Sequence, residues 1–434
     1  MASTVVKTIG SSGVFSTPQL WEDGAPANLT TSNRWTAGTF VGTFTQGEVV
    51  TGTGITGGKF LDSNQTNYIT FGTTTTPAAG ITITGSTSGA TCVISGSANV
   101  GVVWQGQCQN QAFNGTGTRL TVSGSTVSIT AYKELTTVAG ASFRDHADVQ
   151  TNPLRYDATK GAALSGTSAT TLTVTNSESN FRISKLQITA TGSNAHCVQL
   201  GANSINDVFC DFCIIEGTYT GIDANLGILS AREDKTVRNC VIIQRASAAD
   251  HIIGNGSGIP GVGYGMYNCT IVAPDDLATA PTSIFEGTGA GNKAQNCGLF
   301  AGDSTKAIVS GGGGWTFTTC ASDISGTAGV TQRTYANEFQ NINDATRDFR
   351  LKSGAGQIDT GTTDATNGPI DIAGTTRPQG AAYDVSCWEF VAAGGGAAPA
   401  QAPNRNIQIN YGGTFAGAGR GVFGRRFRKG RWSL

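Results

Sequence analysis

ISKLQIT (Ile183 to Thr189), CDFCIIE (Cys210 to Glu216), VRNCVII (Val237 to Ile243), MYNCTIV (Met266 to Val272), AQNCGLF (Ala294 to Phe300) and FTTCASD (Phe317 to Asp323) are versions of one seven-residue phrase. Its fourth position is small or apolar each time: Leu186, Cys213, Cys240, Cys269, Cys297 and Cys320, at spacings of 27, 27, 29, 28 and 23 residues. Two residues further on stand Ile188, Ile215, Ile242, Ile271 and Leu299. Apolar residues at i and i+2 share one face of a strand, so the phrase reads as a short strand that returns once per repeat.

A repeat of this length built on short strands fits a solenoid in which equivalent positions of successive coils stack about 4.8 Å apart. Stacking accounts for the residue choice. Small, polarizable Cys side chains fill a narrow interior column without disulfides, and Asn239, Asn268 and Asn296, each just before a Cys, suit an amide ladder at a bend. A second register, Val198, Ile228, Ile253, Ile284 and Ile308, marks another strand of each coil. The aligned cysteines are read as core packing rather than a metal or redox array, because they share one phase with apolar neighbours. The expected fold is all-β, a right-handed parallel β-helix; the LxxLxLxxN signature of leucine-rich repeats is missing.

Composition agrees. Gly makes up 61 of 434 residues, roughly twice its usual share, and only 13% of residues are charged. That excludes a helix-rich protein, while 38% hydrophobic residues in recurrent runs exclude general disorder. Ten Cys and three His (His146, His196, His251) do not form a zinc-type pattern beyond the single Cys210/Cys213 pair, so no metal or other cofactor is expected. Ala2 to Lys7 lacks the apolar core of a signal peptide and no run reaches the ~20 apolar residues of a membrane span. Synthesis in a cytoplasm, without a membrane partner, is the expectation.

The charge is uneven. Residues 391–434 carry seven basic residues and no acid, which leaves 21 basic against 29 acidic residues, −8, in the body. The segment opens with AAGGGAAPAQAP, flexible by composition, and ends in a basic arm where Arg420, Arg425, Arg426, Arg428, Lys429 and Arg431 mingle with Phe423, Phe427 and Trp432. Aromatic anchoring beside charge pairing suits docking on an acidic protein surface; a nucleic-acid partner is less expected.

The expected organisation is therefore a cap and first coil over 1–36, a small β-barrel or β-sandwich over 37–140, the β-helix over 141–390 and the linker with its arm over 391–434. Within 1–36, STPQLWEDG (Ser16 to Gly24) reads as a capped short helix with Trp21 closing the solenoid end. GEVVTG (Gly47 to Gly52), GITITG (Gly80 to Gly85) and RLTVSGSTVSITAYK (Arg119 to Lys133) supply the strands of the second region, either inserted in the first coils or preceding them.

DFRLKSGAGQIDTG (Asp348 to Gly361) and GPIDIAGTTRPQGAAYDVSCWEF (Gly368 to Phe390) resemble the closing segment of pectate-lyase-like right-handed parallel β-helix proteins. Ile358, Asp359, Arg377, Pro378, Asp384 and Glu389 occupy the matching places; Ser386, Cys387 and Trp388 depart from the usual small residues. The match covers about a tenth of the chain and implies architecture, hardly activity. The front half resembles a narrower group, β-helix proteins encoded among bacteriophage structural genes, through STPQLWED, the Gly47 and Gly80 elements with STSGAT (Ser86 to Thr91), and RYDATKGAAL (Arg155 to Leu164). That resemblance implies a virion protein: a homotrimer on the capsid exterior that decorates or reinforces the shell, with the major capsid protein or other virion proteins as partners. A tailspike that binds or cleaves host surface glycan is the alternative.

An enzyme on this fold would work as a polysaccharide lyase or glycoside hydrolase, the latter with two carboxyl groups about 5 to 10 Å apart. The candidates are Glu216, Asp250, His251 and Glu286; the spacing of Glu216 and Glu286 does not decide whether they share a face. Asp250 and His251, being adjacent, point to opposite faces of a strand and read better as a solvated pair. Between residues 180 and 320 Trp315 is the only tryptophan, which leaves few platforms for sugar stacking. The sequence favours a non-enzymatic role.

Overall fold

The computed structural model describes residues 2–392 apart from 57, 74, 76, 168–169, 176–179, 193–195, 201–207, 218–219, 226–232, 246–250, 257–262, 278–279, 287–289 and 311–313. The chain divides into a body, Met1–Gly395, and a C-terminal unit, Gly396–Leu434, which lies outside the described residues together with the whole basic arm.

From Val102 to Ser310 the chain visits three sheets in a fixed order. The first sheet has nine strands, from Ser3–Ile9 and Val102–Cys108 to Gly314–Thr318. The second has nine, from Ala112–Gly115 to Val330–Gln332, and the third seven, from Leu120–Val122 to Ala307–Ser310. Neighbouring strands in each are parallel. These three sheets form a parallel β-helix, whose interior is one continuous apolar cluster.

Each position of the seven-residue phrase has a place in this winding. The first (Ile183, Cys210, Val237, Met266, Ala294, Phe317) faces inward from the first sheet, in register from coil to coil. The third is the bend into the second sheet, where Lys185, Phe212, Asn239, Asn268, Asn296 and Thr319 have φ of 64°, 54°, 50°, 51°, 54° and 50°. This left-handed conformation is costly for most side chains and least so for Asn, which explains three asparagines there. Asn296 Nδ2 donates to Asn268 Oδ1 at 3.1 Å, one rung of an amide ladder.

The fourth position stacks. The N–H groups of Ile214, Val241, Thr270, Gly298 and Ala321 donate to the carbonyls of Leu186, Cys213, Cys240, Cys269 and Cys297 at 3.1, 3.1, 2.9, 2.9 and 3.0 Å. Leu186 and the first four of these cysteines are 0% exposed, and Cys320 is 1% exposed. Ile188, Ile215, Ile242, Ile271 and Leu299 pair in register and are buried beside them.

The second register needs correction. The third sheet aligns Val198, Ile222, Ile253, Phe285 and Val309. Ile228 lies outside the described residues, and Ile284 and Ile308 sit one residue off. Both members of the pair Ile284–Phe285 are buried; where the chain bends, adjacent apolar residues hide the alternation that sets a register.

The second region is a closed barrel of six antiparallel strands between Ser32 and Val100, with a core that includes Trp35, Phe60, Phe71 and Ile83. It is inserted between Ser3–Ile9 and Val102–Cys108, which pair directly. The boundary at 140 was therefore too late: Leu120–Val122 and Lys133–Thr137, within and just beyond the alternating Arg119 to Lys133 run, belong to the third and first sheets of the solenoid. Alternation alone does not distinguish an antiparallel barrel strand from a coil strand. The GEVVTG and STSGAT elements meet at one carboxylate. Glu48 accepts hydrogen bonds from the N–H of Thr45 (2.6 Å), Thr87 (2.9 Å) and Ser88 (2.9 Å) and from Ser88 Oγ (2.7 Å).

The helix Pro18–Asp23 closes the front end, with Thr17 capping it and Trp21 fully buried. The strand Leu120–Val122 is the terminal strand of the third sheet, and helix side chains occupy its outer edge. Gln19 Oε1 accepts from Thr121 N at 2.7 Å and Glu22 Oε1 from Ser123 N at 2.9 Å. Glu22 also holds the interior Lys133 at 2.7 Å. Side chains thus take the hydrogen bonds that a further strand would have taken.

The solenoid ends before 390. After Val330–Gln332 the chain forms a strap over the outer face of the second sheet. Tyr335 Oη donates to Ala273 O at 2.6 Å, Asp344 pairs with Arg245 at 2.8 Å, Arg347 pairs with Glu216, and Phe349 N donates to Pro153 O at 3.1 Å. The chain then doubles back. Thr362 N donates to Asn296 Oδ1 at 2.8 Å, and Asn239 Nδ2 to Asn367 O at 3.2 Å. Tyr335, Phe339, Phe349 and Ile372 of the strap and Ile214, Val241, Ile243, Val272 and Phe300 of the sheet form a second apolar core. Burial of each Phe there contributes about 2 kcal/mol.

Candidate functional site

The weak catalytic candidates are not assembled into one site. Glu216 lies on the second sheet, 4% exposed beneath the strap. Its carboxylate accepts from Tyr156 N (2.8 Å), pairs with Arg347 and lies 3.5 Å from Arg245. It is fully engaged in fastening distant segments. Glu286 is on the third sheet, so Glu216 and Glu286 do not share a face. His251, also on the third sheet, contacts Glu286 through Nε2 at 3.2 Å. Asp250 lies outside the described residues. A His–Glu pair by itself lacks the second carboxyl group or nucleophile that glycoside chemistry requires.

The closing motif is equally occupied. Arg377 donates to the carbonyls of Asp384 (3.2 Å) and Ser386 (2.8 Å), Asp384 Oδ1 accepts from Asp359 N (2.8 Å), and Glu389 Oε1 accepts from Gln379 N (2.8 Å). Burial pushes the Asp384 carboxyl up to about 6, and burial together with the Asp384 charge pushes Glu389 up to about 7. Such values suit proton transfer, but both groups are about 1% exposed and bound to their own loop. Cys387, one of the departures from the motif, donates its N–H to Thr270 Oγ1 at 3.1 Å, and Ser386 Oγ donates to Trp388 O at 2.6 Å.

The outer face of the first sheet carries a mixed polar and aromatic row. Its second-position column runs Ser184, Asp211, Arg238, Tyr267, Gln295, Thr318, and a parallel column two residues earlier runs Arg182, Phe209, Thr236, Gly265, Lys293, Thr316. Arg182 lies over the rings of Tyr132 (3.8 Å) and Phe209 (5.2 Å) and donates to Tyr132 Oη at 2.6 Å. Arg238 pairs with Asp211 through Nε at 2.7 Å and lies 5.7 Å from the Phe209 ring. Each guanidinium is held flat by an aromatic and an acceptor, so this row is pre-organised. Arg238 is 2% exposed and engaged with Asp211, so what the face presents outward is the half-buried Arg182 and Phe209 and the exposed Lys293, Thr316 and Thr318. Sequence reasoning missed it, although the signal was available: both columns sit at fixed offsets from the ladder.

No family model matches the chain, and no curated protein matches it. Among solved structures the chain is similar to one described as the crystal structure of pectate lyase Pel9A, at 13% identity over 67% of this chain and 88% of that one, with a TM-score of 0.33. The parallel β-helix stands on the strand registers themselves.

Proposed function

We propose that this chain is a structural protein of a tailed bacteriophage particle, whose β-helix decorates or reinforces the capsid exterior as a homotrimer and whose basic arm docks on the major capsid protein or another virion protein. The motifs that carry the phage resemblance support this reading by what they do. Thr17, Gln19 and Glu22 close the front end, Glu48 ties the barrel turn, and Tyr156 N and Asp157 N attach RYDATKGAAL to Glu216 and Gln187 of the second sheet. The observation that carries the proposal is this spending of motif residues on closure, which suits a rigid particle component better than a catalyst.

Quantitative mass spectrometry of purified particles, with imaging of a labelled chain, tests it. Many copies on the head are expected; a handful at the tail would overturn it in favour of a tailspike. That second reading draws on Arg182 and Phe209, a guanidinium beside a ring on the outer face of the first sheet, a pairing that suits a host glycan. Release of reducing ends or unsaturated uronates from host polysaccharide would establish cleavage separately.

A further inference from the structure

Among the described residues there is one place where the cysteine column gains a third sulfur from outside itself. Cys213 and Cys240 are stacked neighbours at the start of the second sheet, and Cys210 points at them from the first sheet. The three Sγ atoms lie within 4.8 Å of one another, with Cys210 Sγ and Cys240 Sγ 3.9 Å apart. All three are free thiols, fully interior or nearly so. Three sulfurs around a metal at about 2.3 Å stand about 3.8–4.0 Å from one another, so the 3.9 Å edge already has that length and a contraction of under 1 Å brings in the rest.

Packing alone does not explain Cys210. Its neighbours in register are Ile183 and Val237, both larger. Beside it lies a small void, lined also by Val208 and Lys235, with room for about one water-sized group. An aliphatic residue would fill that space. A sulfur leaves it open and adds a soft donor to the other two.

We propose that Cys210, Cys213 and Cys240 form a three-sulfur site for a soft monovalent cation of the Cu(I) class. Thiolates select such ions, and Cu(I) accepts three sulfurs without a further ligand. The cation replaces thiol protons, which pass to solvent, and no electron is transferred. With two thiolates and one thiol the complex carries one negative charge. The site is enclosed by the coils, so it loads as the chain folds.

The test refolds the full chain anaerobically with Cu(I) supplied as its acetonitrile complex, then challenges it with a competing Cu(I) chelator. One copper per chain resists the chelator, and X-ray absorption finds three sulfurs around it. Cys210→Val, which fills the void, weakens Cu(I) binding by more than about 100-fold, the most that loss of an outer-shell partner costs; Cys387→Val leaves it unchanged. No chelator-resistant copper, a shell with fewer than three sulfurs, or full retention in Cys210→Val overturns the proposal. Should Cys210→Val not fold, the sulfur count on the unaltered chain decides alone.

Discussion

The same coils present two outer faces that have been put to opposite uses. On the second sheet the outward positions of the phrase are Ile214, Val241, Ile243, Val272 and Phe300, all buried under the strap. On the first sheet the outward positions are mostly polar or aromatic; Thr236, Arg238 and Tyr267 are buried, and Lys293, Thr316 and Thr318 are exposed. One face completes the fold; the other is polar and partly exposed. A parallel strand that is apolar on both sides signals a covering layer, whereas a polar column over an apolar one signals a free face.

That contrast can be broken at its fastening. Glu216→Ala leaves the buried Arg347 with only Asp344, 3.4 Å from its Nη1, and is expected to cost about 3 kcal/mol, the low end for breaking a buried pair, read as a lowered urea midpoint and faster proteolytic release of the strap; an unchanged midpoint would show that the strap is held by apolar contact alone. The pH dependence sharpens it next. The folded state holds the Glu389 proton up to about 7, above the ordinary 4.5, so folding takes up a proton between those values and stability falls as pH rises through the window, then levels off. The contribution is up to about 3 kcal/mol at about 1.4 kcal/mol per pH unit. Comparing urea midpoints at pH 5 and pH 8, the wild type should lose more stability than Glu389→Gln; equal losses would mean that Glu389 does not titrate in this range.

Smaller effects probe the bend and the free face. Asn268→Ala places an ordinary side chain at a φ of 51°, at a cost of about 1–2 kcal/mol, with Asn268→Gly recovering most of it by thermal denaturation. Arg182→Ala is expected to change stability by no more than about 1 kcal/mol, while abolishing whatever partner binding the first sheet supports, measured as occupancy on particles or retention on host glycan. A large loss of stability instead would assign the row to the fold.

Much of the solenoid could be read from residues alone. The ladder and the asparagine bend follow from stacking, since one position repeated through successive coils meets the same neighbours. The strap could not be placed, because its fastenings join residues far apart, such as Glu216 and Arg347, 131 positions from each other. Yet its existence was foreshadowed in CIIE, CVII and CTIV, where consecutive apolar residues leave no polar side to the strand. The candidate catalytic residues were chosen by type, and type does not distinguish a carboxylate that reacts from one that fastens. The open row on the first sheet stayed hidden because its members differ from coil to coil; what repeats there is direction.

The strap also has a bearing on birth. A ribosome delivers Tyr335 to Glu389 only after every coil has emerged, so until then Ile214, Val241, Ile243, Val272 and Phe300 form an uncovered greasy stripe along the nascent tube. A chain cut short before Thr334 would keep that stripe for good, and its expected fate is capture by chaperones or aggregation rather than a shorter working solenoid.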